Sequence, residues 1–185
     1  SHLMNKIIYT SFILLFLATC TTQEQPMTKL TLTTPDGIHL AASYNKVNTT
    51  TAVILIHMLN RTKEDWNAFA TYLNNNNFAT LAIDMRGHGQ SDGNWQRFTD
   101  DDFKKIPLDI TTAQQYLREH GYTTLYIIGA SIGANSALRV AADDPTITKV
   151  VLLSPGENYR SVTTFDAAPR YAGKLLLVAS KDDSQ

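Results

Sequence analysis

LYIIGASIGANSAL, residues 125–138, is an apolar run that enters Gly129-Ala130-Ser131-Ile132-Gly133 and continues as small and aliphatic residues with helical character. The first five residues read as a buried strand and residues 132–142 as a helix that packs closely on a sheet. A G-x-S-x-G turn between strand and helix forces a strained backbone at the serine, and residues two positions away must be tiny. Gly129 and Gly133 meet that need. The turn lifts the Ser131 hydroxyl above the sheet and leaves the Ile132 N–H at a helix N-terminus, where it can donate to a developing oxyanion. The plainer reading is a helix-capping serine in a tight turn. A phosphate loop needs G-x-x-x-x-G-K-[ST], but Ala134 stands five after Gly129 and no lysine follows. The G-x-G-x-x-G of a dinucleotide loop is also absent from this turn.

Outward from this turn, strands alternate with helices. Residues 29–33 and 38–43 flank Pro35-Asp36-Gly37 as a hairpin. AVILI (52–56) and FATLAID (78–84) are β-rich runs suited to strands buried on both faces. Between them Trp66, Phe69, Ala70 and Leu73 form a helical stripe. A Gly-rich loop, 86–95, precedes a helix over about 107–120, with Pro107 in its first turn, Ile110, Ala113 and Leu117 inside, and Gly121 as its stop. Residues 147–154 and 174–180 supply two more strands. The alternation predicts an α/β fold, a mostly parallel sheet with helices on both faces. His57, Asp84 with Arg86, Ser131, Ser154, and Asp182 with Asp183 follow five successive buried strands. Ligands bind outside the carboxyl ends of such strands.

Composition narrows the function. With 43% hydrophobic and 18% charged residues, the chain suits one domain with a sizeable core. A net charge of −1 without a Lys/Arg block argues against a nucleic-acid partner. The scattered histidines give no metal-ligand spacing, and no cofactor is expected. SHLM before Asn5 reads as a tag remnant. From Met4, a lysine and an apolar run over 7–18 lead to Leu17-Ala18-Thr19-Cys20. This resembles a bacterial lipoprotein signal with Cys20 as the lipidated residue; the alternative is an ordinary secretory signal. Residues 1–25 are thus expected to be remnant, signal and short linker, and 26–185 the domain. The expected location is the bacterial cell envelope, lipid-anchored to the membrane, or the cytoplasm when expressed as a tagged protein. A lone Cys excludes a disulfide framework or CxxC site.

From about Leu30 onward the sequence resembles the α/β-hydrolase family. LIHMLNRTKEDW, AIDMRGHGQSD, GASIG and LLLVASKDDSQ stand in the order of that family's oxyanion loop, D-x-R-G-x-G-x-S segment, nucleophile elbow and acid-bearing turn. The resemblance implies Ser131 as nucleophile, supported by Gly129 and Gly133, and Asp183 as the acid, with Asp182 the alternative. It implies an oxyanion hole from the N–H groups of Leu59 and Ile132. Met58, standing where the family has glycine, is a further candidate donor. His57 would hold the loop and His88 brace its neighbour, neither transferring protons. The family's order is Ser, Asp, His, and only Ser184 and Gln185 follow Asp183. The catalytic histidine is therefore expected to be missing, with the C-terminal part of the fold absent, and this chain to turn over little. Truncation, completion by a second chain or swapped segment, and natural loss of catalysis are the alternatives.

In this family a large cap often follows the strand ending at Ser154. Here residues 155–173 are too few for one, so an open site is expected, suited to small or extended esters or an exposed polymer end. Tyr159, Trp95 and Phe98 are candidate wall residues. The implied activity is serine carboxylesterase, with no large cap and dienelactone-hydrolase-like or acyl-peptidase-like character. A non-catalytic lipoprotein using the fold for binding, or a peptidase, lactonase or thioesterase, stays open.

Overall fold

The computed structural model describes residues 27–180. Cys20, Asp182, Asp183 and the N-terminal segment read above as remnant and signal lie outside them. Among the described residues nine strands run in chain order: β1 Thr28–Thr33, β2 His39–Asn45, β3 Thr51–Ile56, β4 Ala79–Ile83, β5 Thr124–Ala130, β6 Lys149–Leu153, β7 Asn158–Tyr159, β8 Val162–Thr163 and β9 Lys174–Val178. The α-helices between them are α1 Asn67–Asn75, α2 Asp100–Phe103, α3 Ile106–Glu119 and α4 Ile132–Asp143. The main sheet has the order β1-β2-β4-β3-β5-β6-β9. β1 and β2 are antiparallel, β2 joins β4 antiparallel, and from β4 to β9 every pairing is parallel. This is the mostly parallel α/β sheet expected from the strand–helix alternation, with the antiparallel hairpin at one margin, and it agrees with the α/β-hydrolase fold that the resemblance implies.

The strand period places alternate residues on opposite faces. Ile54 and Ile56 of β3, Leu81 and Ile83 of β4, and Leu152 of β6 join the large core under α3 and α4. Val53, Leu55, Ala82, Ile128 and Ala130 face the other way and meet Trp66, Ala70 and Leu73. A continuous aliphatic strand such as β3 is thus explained by helices on both sides. Phe69, expected inside, is 37% exposed. Lys63–Trp66 is a 3-10 turn and α1 begins only at Asn67. Ala70 and Leu73 therefore set the inner face, and Phe69, at the edge of the stripe, stacks on Tyr72 instead. α2 left no periodic signal. It is one turn held by a capping box between Thr99 and Asp102.

α3 starts one residue before its proline and ends against Gly121, whose φ of 89° suits the left-handed stop. Residues 155–173 form the short β7–β8 hairpin and a 3-10 turn, Ala168–Arg170, with no large cap. Among the described residues β9 is an edge strand, and Leu175, Leu176, Leu177 and Val178 are 41, 56, 58 and 47% exposed. No described helix is long and apolar enough to cross a membrane.

Arg86, which follows β4, ties three distant segments together. Its Nε and backbone N–H donate to the fully buried Asp109 of α3, both at 2.8 Å. Its terminal nitrogens reach Asp36 of the β1–β2 turn at 2.8 and 3.1 Å. Hydrogen bonds from Arg86 and Thr34 hold the Asp36 carboxyl well below the usual carboxylate range. Removing one partner of a buried pair leaves an uncompensated charge. Arg86→Leu is expected to lower unfolding free energy by about 3–5 kcal/mol, read from the urea midpoint.

Candidate active site

Ser131 stands at the carboxyl end of β5, between β3 and β6 in the sheet. Its φ and ψ are 52° and −121°, a region costing a side-chain-bearing residue about 1–3 kcal/mol. The Ser131 N–H donates to Leu153 O of β6 at 2.9 Å, and its carbonyl accepts from Ala134 and Asn135 N–H. The conformation is thus fixed from both flanking elements. A Cβ on Gly129 would meet Gly133 O at 2.3 Å. One on Gly133 would meet His57 O at 2.5 Å and the Ile56 side chain at 2.8 Å. Both glycines are therefore required by the close seating of α4 on β5 and β3. The Ser131 side chain is partly exposed, and no described residue bonds its hydroxyl. The Ile132 N–H opens α4 without an acceptor among the described residues.

The loop after β3 faces this turn. Arg61 N–H donates to Met58 O at 3.2 Å, closing a tight turn with Asn60 at φ 60°, which asparagine tolerates. The N–H groups of Met58 and Leu59 have no acceptor among the described residues, so both remain candidate donors. The buried His57 ring anchors the loop: Nδ1 donates to Met58 O at 2.7 Å, and Nε2 accepts Met85 N–H at 3.0 Å. Burial pushes the His57 imidazole down to about 4. It is neutral at ordinary pH, with both nitrogens engaged, as a structural histidine should be. His88 packs against it with ring centroids 5.0 Å apart, stacks on Trp95 at 5.6 Å, and binds Arg86 O through Nδ1. His39 pairs with Asp92, and His120 binds Tyr116 O at the end of α3. None of these histidines bonds the Ser131 hydroxyl.

Two strand-end groups that the sequence offered as ligand-facing are instead consumed by the scaffold. Arg86 is spent on Asp36 and Asp109. Asp84, fully buried, accepts from Lys63 N–H and Nζ, each at 2.8 Å, and from Gln90 N–H at 3.0 Å. Lys63 is only 2% exposed. Burial pushes its ammonium down, but hydrogen bonds to Asp84 and Glu64 outweigh this and raise it. Sequence reasoning passed over Lys63, because one lysine in RTKEDW carries no periodic signal. It also passed over Asn135, whose side chain bonds Gly156 N–H and the carbonyls of Gly156 and Val162, fixing the β7–β8 hairpin beside α4. A polar residue inside the small-residue run GANSAL was the available signal, since buried polar groups find partners. Of the candidate wall residues, Trp95 and Phe98 pack on the core, and the Tyr159 hydroxyl donates to Ser154 O at 3.3 Å. No described group of His, Cys, Asp and Glu is placed to hold a metal ion. Asp183 and Asp182, the expected acids, lie outside the described residues.

Residues 48–181 match the sequence model of the serine aminopeptidase family, S33. No curated protein sequence matches the chain significantly. The esterase Pf2001 of Pyrococcus furiosus superposes with a TM-score of 0.71 at 20% identity, over 82% of this chain and 70% of its own. Est1E from Butyrivibrio proteoclasticus, solved with ferulic acid bound, gives 0.60 at 30% identity, over 68% of this chain and 52% of its own. Epoxide hydrolase A from Mycobacterium thermoresistibile gives 0.59 at 18% identity, over 69% of this chain and 39% of its own. The chain thus spans about half or less of the last two proteins, and the likeness to the esterase Pf2001 and the epoxide hydrolase is one of fold.

Two outcomes follow from this geometry. Glycine relieves a positive φ and alanine does not. Ser131→Gly is therefore expected to be more stable than Ser131→Ala by about 1 kcal/mol in urea unfolding. The second concerns pH. Folded His57 titrates at about 4 and the unfolded residue near 6.5. Its contribution is complete above the unfolded value and is lost as pH falls toward the folded one. His57→Gln is expected to lack about 2 kcal/mol of the stability that the wild type loses between about pH 7 and about pH 5.

Proposed function

Because the chain belongs to the serine aminopeptidase S33 family of α/β-hydrolases, we propose that it is a serine carboxylesterase acting through a Ser131 acyl-enzyme. The observation that carries this reading is the strained Ser131, its hydroxyl unbonded by any described residue, together with the Ile132 and Leu59 N–H groups, which have no acceptor among the described residues. A purely structural serine gains nothing from a costly φ that glycine would adopt freely. In the proposed reaction Ser131 Oγ attacks the ester carbonyl carbon as its proton passes to an imidazole. The carbonyl oxygen becomes an oxyanion that accepts from the Ile132 and Leu59 N–H groups, with Met58 N–H the alternative second donor. The alcohol leaves with the proton, and water then releases the acid by the same route in reverse. Asp183, or Asp182, would orient the imidazole. His57 is unsuited as the base, being buried with both nitrogens engaged. The reading therefore requires an imidazole from outside the described residues.

The absence of a large cap over 155–173 supports a small or extended ester, or an exposed polymer end, as substrate. The phenolic acid held by Est1E supports an aromatic acyl group among the candidates. Anchoring to the envelope through a lipid on Cys20 belongs to the same proposal and rests on the N-terminal sequence. A fluorophosphonate probe is expected to label the natural gene product at Ser131, and Ser131→Ala to abolish labelling. No labelling of the wild type would favour a binding module on this fold over an esterase.

A further inference from the structure

The loop that carries Leu59 is tied to the β4 turn at both of its ends. At its start, His57 Nε2 accepts Met85 N–H. After the five intervening residues, 58–62, the chain is tied down again at Lys63. Lys63 N–H and Nζ donate to the two oxygens of Asp84, and Nζ also reaches Glu64 Oε1 at 2.8 Å and Gln90 Oε1 at 3.3 Å. Between the ties the loop holds itself by one backbone bond, Arg61 N–H to Met58 O at 3.2 Å. The Arg61 side chain is spent on Asp65 at the surface.

The second tie is costly, since two charges are taken out of water. An apolar pair would fill the space, but would not fix a direction. The ammonium has three acceptors on two segments, and these set where the Lys63 main chain must stand. The turn that holds Asp84 is itself wrapped without slack: a Cβ on Gly89 would meet the Asp84 carboxyl at 2.3 Å. At the first tie, Gly133 of α4 lies so close to His57 O that no side chain fits between them. The α4 N-terminus and the loop therefore share one rigid seat at one end, and the loop's other end rests on Lys63.

We propose that Lys63 and Asp84 are positioning residues that hold the Leu59 loop in register with the Ile132 N–H, so that two donors meet one oxyanion. The inference rests on the acyl-transfer reading for its chemical consequence, but the tie itself can be tested without catalysis. Lys63→Met in the natural gene product is expected to speed amide hydrogen exchange over 58–62 about tenfold while residues 132–143 keep wild-type protection. Fluorophosphonate labelling of Ser131 is expected to slow about 10- to 100-fold through its limiting rate, with the half-saturating probe concentration unchanged. Should Lys63→Met fail to fold, Lys63→Met/Asp84→Asn leaves no lone buried charge and gives the same readings. A folded variant with wild-type exchange over 58–62, or a wild-type limiting rate, overturns the proposal. A wild-type protein whose Ser131 never labels overturns the acyl-transfer reading, and the exchange comparison still decides the tie.

Discussion

The close seating of α4 on the sheet governs the rest of this molecule. At Gly129 the β5 backbone runs against Gly133, and at Gly133 the helix runs against β3 and His57. Only hydrogen fits at both places. Seating α4 this tightly bends the chain through Ser131 at a φ that side chains avoid, and the sheet holds it there through Leu153. Strain of this kind persists only where the surroundings over-determine the backbone. Here a β-strand, a buried helix and a neighbouring strand do so together.

Around that bend the polar groups divide into two kinds. One kind is fully occupied: Arg86 with Asp36 and Asp109, Lys63 with Asp84, His57 with Met58 and Met85, and Asn135 with Gly156 and Val162. Apart from the exposed Asp36 these side chains are buried, and they join segments far apart in sequence. The other kind has no described partner: the Ser131 hydroxyl and the N–H groups of Met58, Leu59 and Ile132. Met58 is exposed and Leu59 half-buried, so solvent or substrate can reach this side of the loop. On the acyl-transfer proposal these groups would face the substrate's developing oxyanion. The occupied groups also explain a functional restraint. By keeping His57 neutral and doubly bonded, the fold turns an available imidazole into a strut.

The sheet is uneven in its support. α3 and α4 close one face over a large core, while α1 covers less of the other. β9 shows apolar side chains on a strand whose composition suits burial on both faces. The backbone at Ser131 is held by β5, by Leu153 of β6 and by α4 seated on β3, and β6 is itself the neighbour of β9, the edge strand among the described residues.

The strand–helix alternation, the elbow at residues 125–138 and the hairpin at the PDG turn were legible because each rests on local residues. Aliphatic period, turn chemistry and small residues at fixed spacing act within a few positions of where they stand. By the same logic the α/β-hydrolase resemblance rested on four such segments in order. What sequence could not supply is which polar groups would be used up. Asp84 and Arg86 looked like ligand-facing strand ends, and Lys63 and Asn135 drew no notice. Their roles depend on partners 21 to 50 positions away, for Lys63–Asp84 and Arg86–Asp36. No periodicity encodes such pairings. Phe69 fell to the surface for a related reason: a 3-10 turn, not the helical stripe, set the phase in which α1 met the sheet. The sequence by itself determined where the chain bends and what it buries. Only the tertiary structure decided which charges are spent as struts and which donors stand unengaged at the bend, because burial and long-range contact fix a polar group's partner.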